Sequence, residues 1–133
     1  MPWKNLSILI VDDEPELISL LSAIINELSS PPIITFALTG EEGKKIILNS
    51  KEFAIVISNF NMGKGMTGAD FLRFVKSNNP RTSRILMTSG LGKDSLLEMM
   101  TKDFIDDYTI KPVMAEHFLG QVEKSLRAYK NKT

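Results

Sequence analysis

The stretch from residue 53 to residue 68, FAIVISNFNMGKGMTG, constrains the fold more than any other part of this chain. It opens with an apolar run over residues 53–57 and ends in a polar, glycine-rich segment. An uninterrupted apolar run of this length is typical of a strand buried on both faces, and such strands occur in parallel sheets that helices cover. These sheets bind ligands at the carboxyl ends of their strands. We therefore expect Asn59 and Asn61, which follow the run, to lie at the functional edge of a parallel sheet.

Five apolar segments of strand length alternate with five segments of helical periodicity. The predicted strands are Ser7–Val11, Ile33–Ala37, 53–58, 84–89 and 106–110, the last being the least apolar, as an edge strand would be. The first helix is predicted to begin at Pro15 and to carry Leu17, Leu21, Ile24 and Leu28 before a stop at 29–32, and the second to span Gly40–Asn49 behind a capping box of Thr39 and Glu42. The other three carry Phe71, Leu72 and Val75 up to a stop at 78–80; Leu96, Leu97 and Met100; and Phe118, Leu119, Val122, Leu126 and Tyr129. This alternation predicts a doubly wound α/β sandwich.

The size and charge of the chain argue against several classes of protein. Its 133 residues suffice for one domain with a single core, which we place over residues 1–133. The 16 basic and 16 acidic residues balance, which argues against a broad nucleic-acid footprint. No apolar run approaches the roughly 18 residues of a membrane span, and no signal peptide is recognisable. Together with the lack of cysteine, this predicts a cytoplasmic protein whose domain binds neither nucleic acid nor membrane.

Polar side chains follow or end four of the predicted strands. Asp12 and Asp13 follow the first, Asn59 and Asn61 the third and Lys111 the fifth, while Thr88 lies at the polar end of the fourth. Adjacent carboxylates with a carbonyl oxygen nearby suit a hard cation such as Mg²⁺. A hydroxyl and an ammonium opposite them would suit phosphoryl oxygens. The combination is far more informative than any one of these residues.

With these residues in place, the chain resembles the receiver domains of two-component response regulators, the CheY-like proteins, over about residues 6–129. The resemblance is carried by ILIVDDEP, by NFNM at 59–62, by MTG at 66–68, by LMTSG and by DDYTIKP. It implies a flavodoxin-like sheet of five parallel strands in the order 2-1-3-4-5, with five helices. It also implies a signalling module rather than an enzyme, with a histidine kinase, a phosphotransfer protein or a downstream effector as its protein partner.

The resemblance also implies roles for single residues. Asp12, Asp13 and the backbone carbonyl of Asn61 would hold Mg²⁺, and Thr88 and Lys111 would contact the phosphoryl group. Tyr108 would be the aromatic residue that changes rotamer on activation. The peptide bond before Pro112 would be cis. The surface of the fourth helix, fifth strand and fifth helix would bind the partner.

The sequence departs from the receiver pattern at its centre, because the position of the phosphate-accepting aspartate holds Asn59. An amide has no anionic oxygen with which to attack phosphorus, so ordinary aspartyl phosphorylation is not expected there. The loss of one carboxylate should also weaken Mg²⁺ binding. The following loop has Gly63 where proline is usual, and one extra residue before Met66. The sequence thus predicts a degenerate receiver, or a receiver with an Asp→Asn replacement made in the laboratory.

Several of these features have other interpretations. Asp12 and Asp13 alone would also suit a solvated turn before a helix. The segment from Gly63 to Gly68 matches G-x-G-x-x-G between a strand and a helix, so a nucleotide- or flavin-binding flavodoxin-like protein is the alternative, although this loop follows the third strand and not the first. Ser58 offers a hydroxyl for phosphate, but alternation along the strand should direct it away from Asn59. His117 has no histidine or cysteine companion and is predicted to lie on the surface.

Overall fold

A computed structural model describes residues 3–63 and 65–132 of the chain. Its five strands form one parallel sheet in the order β2-β1-β3-β4-β5, and the chain alternates strand and helix throughout. The strands are β1 (Ser7–Val11), β2 (Ile33–Ala37), β3 (Ile55–Asn59), β4 (Ser83–Thr88) and β5 (Asp107–Ile110). The helices are α1 (Pro15–Ile25), α2 (Gly40–Asn49), α3 (Gly68–Asn78), α4 (Lys93–Thr101) and α5 (Ala115–Asn131). The predicted flavodoxin-like fold is confirmed, with β5 at an edge.

Two apolar layers enclose the sheet and explain why its central strands are apolar without alternation. Along β1, Ile8 and Ile10 pack against the layer that contains the buried faces of α1 and α5. Leu9 and Val11 pack against the opposite layer, which contains the buried residues of α2, α3 and α4. Successive side chains of a strand point to opposite faces, so both sets must be apolar when both faces are covered.

The strand ends differ slightly from the sequence prediction. β3 begins at Ile55 and includes Asn59, because Asn59 stands opposite Met87 in β4 and the N–H of Phe60 donates to the Met87 carbonyl. The prediction of a strand over residues 53–58 therefore began two residues too early and ended one residue too early. The two residues before Ile55 are buried, although they lie outside the strand. β4 begins and ends one residue earlier than predicted, and β5 begins one residue later. Asn59 is thus the last paired residue of a central strand.

The first helix is shorter than its apolar spacing predicted. It begins at Pro15 as expected but ends at Ile25, and Leu28 lies beyond it in a turn. The N–H groups of Glu27 and Leu28 donate to carbonyls three residues earlier, so the chain tightens after the helix while Leu28 remains buried. The second helix has the predicted bounds, and the Thr39 hydroxyl accepts the N–H of Glu42. The third ends at Asn78, within the predicted stop.

Candidate functional site

The carboxyl end of β1 delivers a buried carboxylate. Asp12 has no exposed surface. Its Oδ1 accepts the N–H of Glu14 at 2.9 Å, whereas its Oδ2 accepts no hydrogen bond from the described part of the chain. The Nζ of Lys111 lies 3.9 Å from that Oδ2. Burial raises the pKa of Asp12, and this outweighs the lowering by the Glu14 N–H and by Lys111, while the charges of Asp13 and Glu14 raise it further.

Three acids gather at this point rather than the two that the sequence singled out. Carboxylate oxygens of Asp12, Asp13 and Glu14 lie within 4.8 Å of one another, and the second and third side chains are exposed. Glu14 also lines the cavity beside the site. The sequence could have indicated Glu14 as a site residue, because it directly follows the acid pair. An acidic residue so close to the start of a helix is, however, readily interpreted as part of the helix cap.

The carboxyl end of β3 is held by its own amide groups. The Nδ2 of Asn59 donates to the backbone carbonyl of Asn61 at 2.7 Å. The Oδ1 of Asn61 accepts the N–H of Gly63 at 3.3 Å. The Asn61 carbonyl, which the resemblance assigned to a metal, therefore already accepts a hydrogen bond from Asn59.

The predicted hydroxyl and lysine line the same cavity. Thr88 ends β4, and its Oγ1 accepts the N–H groups of Gly90 and Leu91 at 3.1 and 3.2 Å, which shapes the following turn. The N–H of Lys111 donates to the Thr88 carbonyl at 2.8 Å, and the peptide bond before Pro112 is cis, as predicted. A cavity of about 320 Å³ is lined by Glu14, Asn59, Phe60, Asn61, Thr88, Ser89, Gly90, Leu91 and Lys111. The structure thus brings the predicted residues of four strand ends to one place.

Tyr108, in β5, lies outside the lining of this cavity and borders a wider groove. Its half-buried side chain packs against the apolar layer that contains Leu96, and it also lines the groove between α4 and α5. Gln121 of α5 fixes the backbone beneath it, because its Nε2 donates to the Tyr108 carbonyl at 2.7 Å. The Gln121 amide also hydrogen-bonds with the Thr109 hydroxyl. His117 is exposed at the rim of the same groove, as the sequence predicted.

This geometry agrees with a match to a known family. The family model of the response regulator receiver domain matches residues 8–123. The chain belongs to this family. It is a receiver domain of the kind found in two-component response regulators, in which an acidic pocket at this position generally binds Mg²⁺.

Individual proteins show the same likeness at low identity. The chain is 23% identical over 128 residues to the hydrogenase transcriptional regulatory protein HoxA of Cupriavidus necator. The aligned region covers 96% of this chain and 26% of HoxA. It therefore spans about a quarter of the length of this curated relative. A CheY-like receiver domain protein from Methanospirillum hungatei has a TM-score of 0.85 at 21% identity, covering 97% of this chain and 99% of that one. A receiver domain protein from Clostridium thermocellum has a TM-score of 0.82 at 23% identity, covering 96% and 99%. At these identities the structural likeness shows the fold.

The donor atoms around Asp12 fit a hard cation only in part. The unpartnered, buried Oδ2 of Asp12 and the neighbouring carboxylates of Asp13 and Glu14 are ligands of the kind that Mg²⁺ takes. The Asn59 side, in contrast, offers an amide whose nitrogen donates and so repels a cation, and it engages the Asn61 carbonyl. The carboxylate half of the pocket thus fits a cation better than the amide half.

The glycines that suggested a nucleotide-binding loop are explained by the conformation and close packing of the backbone. Gly63 and Gly65 adopt φ of 75° and 101°, which favour glycine. A Cβ at Gly68 would overlap the Asn59 carbonyl. Glu41 lies next to Gly65 and would repel a phosphate, and Lys64 of the motif lies outside the described residues.

The Ser58 hydroxyl, the other phosphate-accepting group considered from the sequence, lies inside the protein. Ser58 is fully buried, and its hydroxyl donates to the Asn59 carbonyl at 3.2 Å.

Over residues 3–63 and 65–132, no helix combines the length and the apolar character that crossing a membrane requires.

Proposed function

We propose that this chain is a receiver domain that is not phosphorylated at Asn59 and that acts by binding another protein. The observation that carries the proposal is the hydrogen bond from the Asn59 Nδ2 to the Asn61 carbonyl. A donor nitrogen at this point has no charge with which to attack phosphorus, and its oxygen is a poor nucleophile. The domain, which we place over residues 1–133, is then a binding module and not an enzyme that turns over its own phosphoryl group.

The roles of the other site residues belong to the same proposal. Asp12 and Asp13, with the Asn61 carbonyl, are the remaining ligands for Mg²⁺, which binds more weakly than it would beside an acceptor aspartate. Thr88 and Lys111 keep the positions of phosphoryl contacts. In this chain they instead shape the turn after β4 and face the Asp12 carboxylate. Tyr108 is the switch aromatic, which now responds to a bound partner.

The partner-binding surface in this proposal is the face of α4, β5 and α5. A groove there is lined by Leu97, Met100, Asp107, Tyr108, Glu116, His117, Gly120, Gln121 and Lys124. Leu97 and Met100 are 51% and 37% exposed, so apolar area is available beside charged groups. This combination of an apolar centre and a polar rim suits a protein partner. Receiver domains interact with kinases, phosphotransfer proteins and effectors, and a partner of this kind is expected here.

The test is intact-mass measurement after incubation with Mg²⁺ and a small phosphodonor such as acetyl phosphate, followed by peptide mapping. We expect the native protein to gain no phosphoryl group. Asn59→Asp, which supplies a nucleophilic carboxylate at the end of β3, is the matched variant and is expected to gain one. A phosphoryl group on Ser58 or on Asn59 of the native protein would overturn the proposal. A native protein and an Asn59→Asp variant that are both unmodified would place the defect elsewhere in the site and overturn the role given to Asn59.

A further inference from the structure

The loop that follows β3 is closed at both ends by its own hydrogen bonds. The Asn59 Nδ2 donates to the Asn61 carbonyl at 2.7 Å, and the Asn61 Oδ1 accepts the Gly63 N–H at 3.3 Å. Farther along, the Gly68 N–H donates to the Phe60 carbonyl at 2.8 Å. The start of α3 is thus joined to Phe60, the first residue after β3, and the residues just after the strand are joined to one another.

The first of these bonds depends on the amide. Of the two terminal atoms of Asn59, only the nitrogen can donate to a carbonyl oxygen. A carboxylate in its place would set an anionic oxygen against the Asn61 carbonyl oxygen, and two acceptors so close repel each other unless a cation or a proton lies between them. An aspartate here therefore needs an external positive group, whereas an asparagine supplies a hydrogen of its own.

The acidic half of the site is also held without the loop. The Asp12 Oδ1 accepts the Glu14 N–H, and Lys111 faces the Asp12 Oδ2. Among the described residues, no hydrogen bond or ion pair joins the Asp12 carboxylate to the Asn59 side chain. The two halves thus have separate supports.

We propose that the Asn59 amide takes the structural place of the cation, so that the described parts of the loop between β3 and α3, residues 60–63 and 65–67, are held in one conformation independently of Mg²⁺. This inference deepens the proposed function, on which it rests, by making Asn59 a positioning residue rather than only a lost acceptor. The edge of the loop beside Thr88 and Lys111 then has a fixed shape that metal does not change. A receiver of this kind presents one surface at all metal concentrations.

The experiment is amide hydrogen exchange measured by NMR on the full chain, with EDTA and with saturating MgCl₂. In the native protein, the Gly63 and Gly68 amides are expected to show equal protection in both conditions. In Asn59→Asp, their protection without metal should fall about fivefold to tenfold, the size expected when one partly buried hydrogen bond is lost, and Mg²⁺ should restore it. Asn59→Ala, which removes the donor and adds no charge, should lose protection that Mg²⁺ does not restore.

The chain offers a matched control in Asn78. Its Nδ2 also donates to a backbone carbonyl, that of Phe74 at 2.9 Å, but it lies at the exposed end of α3. Asn78→Asp should leave the exchange of Gly63 and Gly68 unchanged with or without Mg²⁺. Thermal unfolding of each variant verifies that it is folded.

Two results would overturn the inference. One is a native protein whose Gly63 protection rises with Mg²⁺ as that of Asn59→Asp does. The other is an Asn59→Ala variant as protected as the native protein. Either result leaves the proposed lack of phosphorylation standing, whereas a phosphorylated native protein in the mass experiment would remove that proposal without changing the metal dependence of the loop.

Discussion

At the scale of single residues, the Asp12 carboxylate lowers the stability of the folded protein. It is buried beside two other acids, and one of its oxygens lacks a hydrogen-bond partner in the described chain. A buried acceptor left unpaired costs about 1–3 kcal/mol. The Asp12 side chain is therefore retained at the expense of stability, as residues at binding sites commonly are.

We expect Asp12→Asn to raise the free energy of unfolding of the metal-free protein by about 1–3 kcal/mol at neutral pH. The amide keeps an oxygen for the Glu14 N–H and removes the buried charge. Because burial raises the pKa of Asp12 in the folded state, the native protein loses relative stability as pH rises from the ordinary value of 3.8 through the folded-state pKa. The gain from the substitution should therefore be smaller near pH 4 than at pH 7.

Urea denaturation at the two pH values, with EDTA present, measures this effect. Asp13→Asn is the control, because the Asp13 side chain is exposed and its charge is screened by water. An Asp12→Asn protein no more stable than the native one at neutral pH would contradict the prediction.

Much of this site could be predicted from the sequence because it depends on where strands end. Asp12 and Thr88 follow or end recognisable apolar runs, Lys111 follows the shorter and less apolar fifth strand, and parallel strands bring their carboxyl ends to one edge. The hydrogen bond from Asn59 to the Asn61 carbonyl could not be predicted in the same way. It depends on the turn that the loop makes within two residues, and no periodic pattern encodes that turn.

At the scale of elements, Arg84 fastens the connection between α4 and β5. It lies in β4 with its side chain 3% exposed, and its guanidinium donates to the carbonyls of Thr82, Asp103 and Phe104 at 3.0–3.2 Å. The carboxylates of Asp103 and Asp106 lie 3.6 and 3.8 Å from its Nη2. An apolar run predicts the strand, but the sequence does not say that one buried arginine within it donates to two carbonyls of the connection between α4 and β5 and to a third carbonyl just before β4.

We expect Arg84→Met to lower the free energy of unfolding by about 2–4 kcal/mol, because methionine fills similar space but leaves the three carbonyls without their donor. The free energy of unfolding of Arg84→Lys should lie between those of the native protein and Arg84→Met, since an ammonium cannot reproduce the planar set of donors. Guanidinium chloride denaturation gives the comparison. Arg73→Met is the control: Arg73 is exposed, pairs with Asp70 at 3.3 Å and stacks over Phe104, so its loss should cost less than about 1 kcal/mol. Equal stability of Arg84→Met and Arg73→Met would refute the special role of Arg84.

At the scale of the whole molecule, strand and helix order could be predicted, whereas contacts between distant segments could not. Apolar runs and helical spacing were sufficient for five strands and five helices, because each pattern is local. The end of α1 was misplaced because Leu28 remains buried outside the helix, and burial alone does not distinguish a helix from the turn after it. Contacts such as that between Tyr129 and Glu52 join residues 77 positions apart and have no local pattern at all.

This last contact ties the end of α5 to the segment before β3 and leads to a prediction that depends on pH. The Tyr129 hydroxyl donates to the Glu52 Oε1 at 2.6 Å, and Arg81 lies 5.1 Å from the ring centre. Burial raises the pKa of Tyr129, as do the hydrogen bond to Glu52 and its charge, while Arg81 lowers it. A raised pKa in the folded state means that the contribution to stability is complete below the ordinary value of 10.0 and is lost as pH rises through the folded-state pKa.

We therefore expect Tyr129→Phe to lower the free energy of unfolding by about 0.5–1.5 kcal/mol at neutral pH, the usual contribution of one hydrogen bond. The difference from the native protein should shrink as the pH is raised above about 10, where the native phenol ionises beside Glu52. Urea denaturation followed from neutral to strongly alkaline pH measures it. In Glu52→Gln, the alkaline loss should be smaller than in the native protein, because the neighbouring charge that opposes the phenolate is gone. A constant difference between Tyr129→Phe and the native protein across this range would mean that the ring, and not its hydroxyl, holds α5 against the rest of the domain.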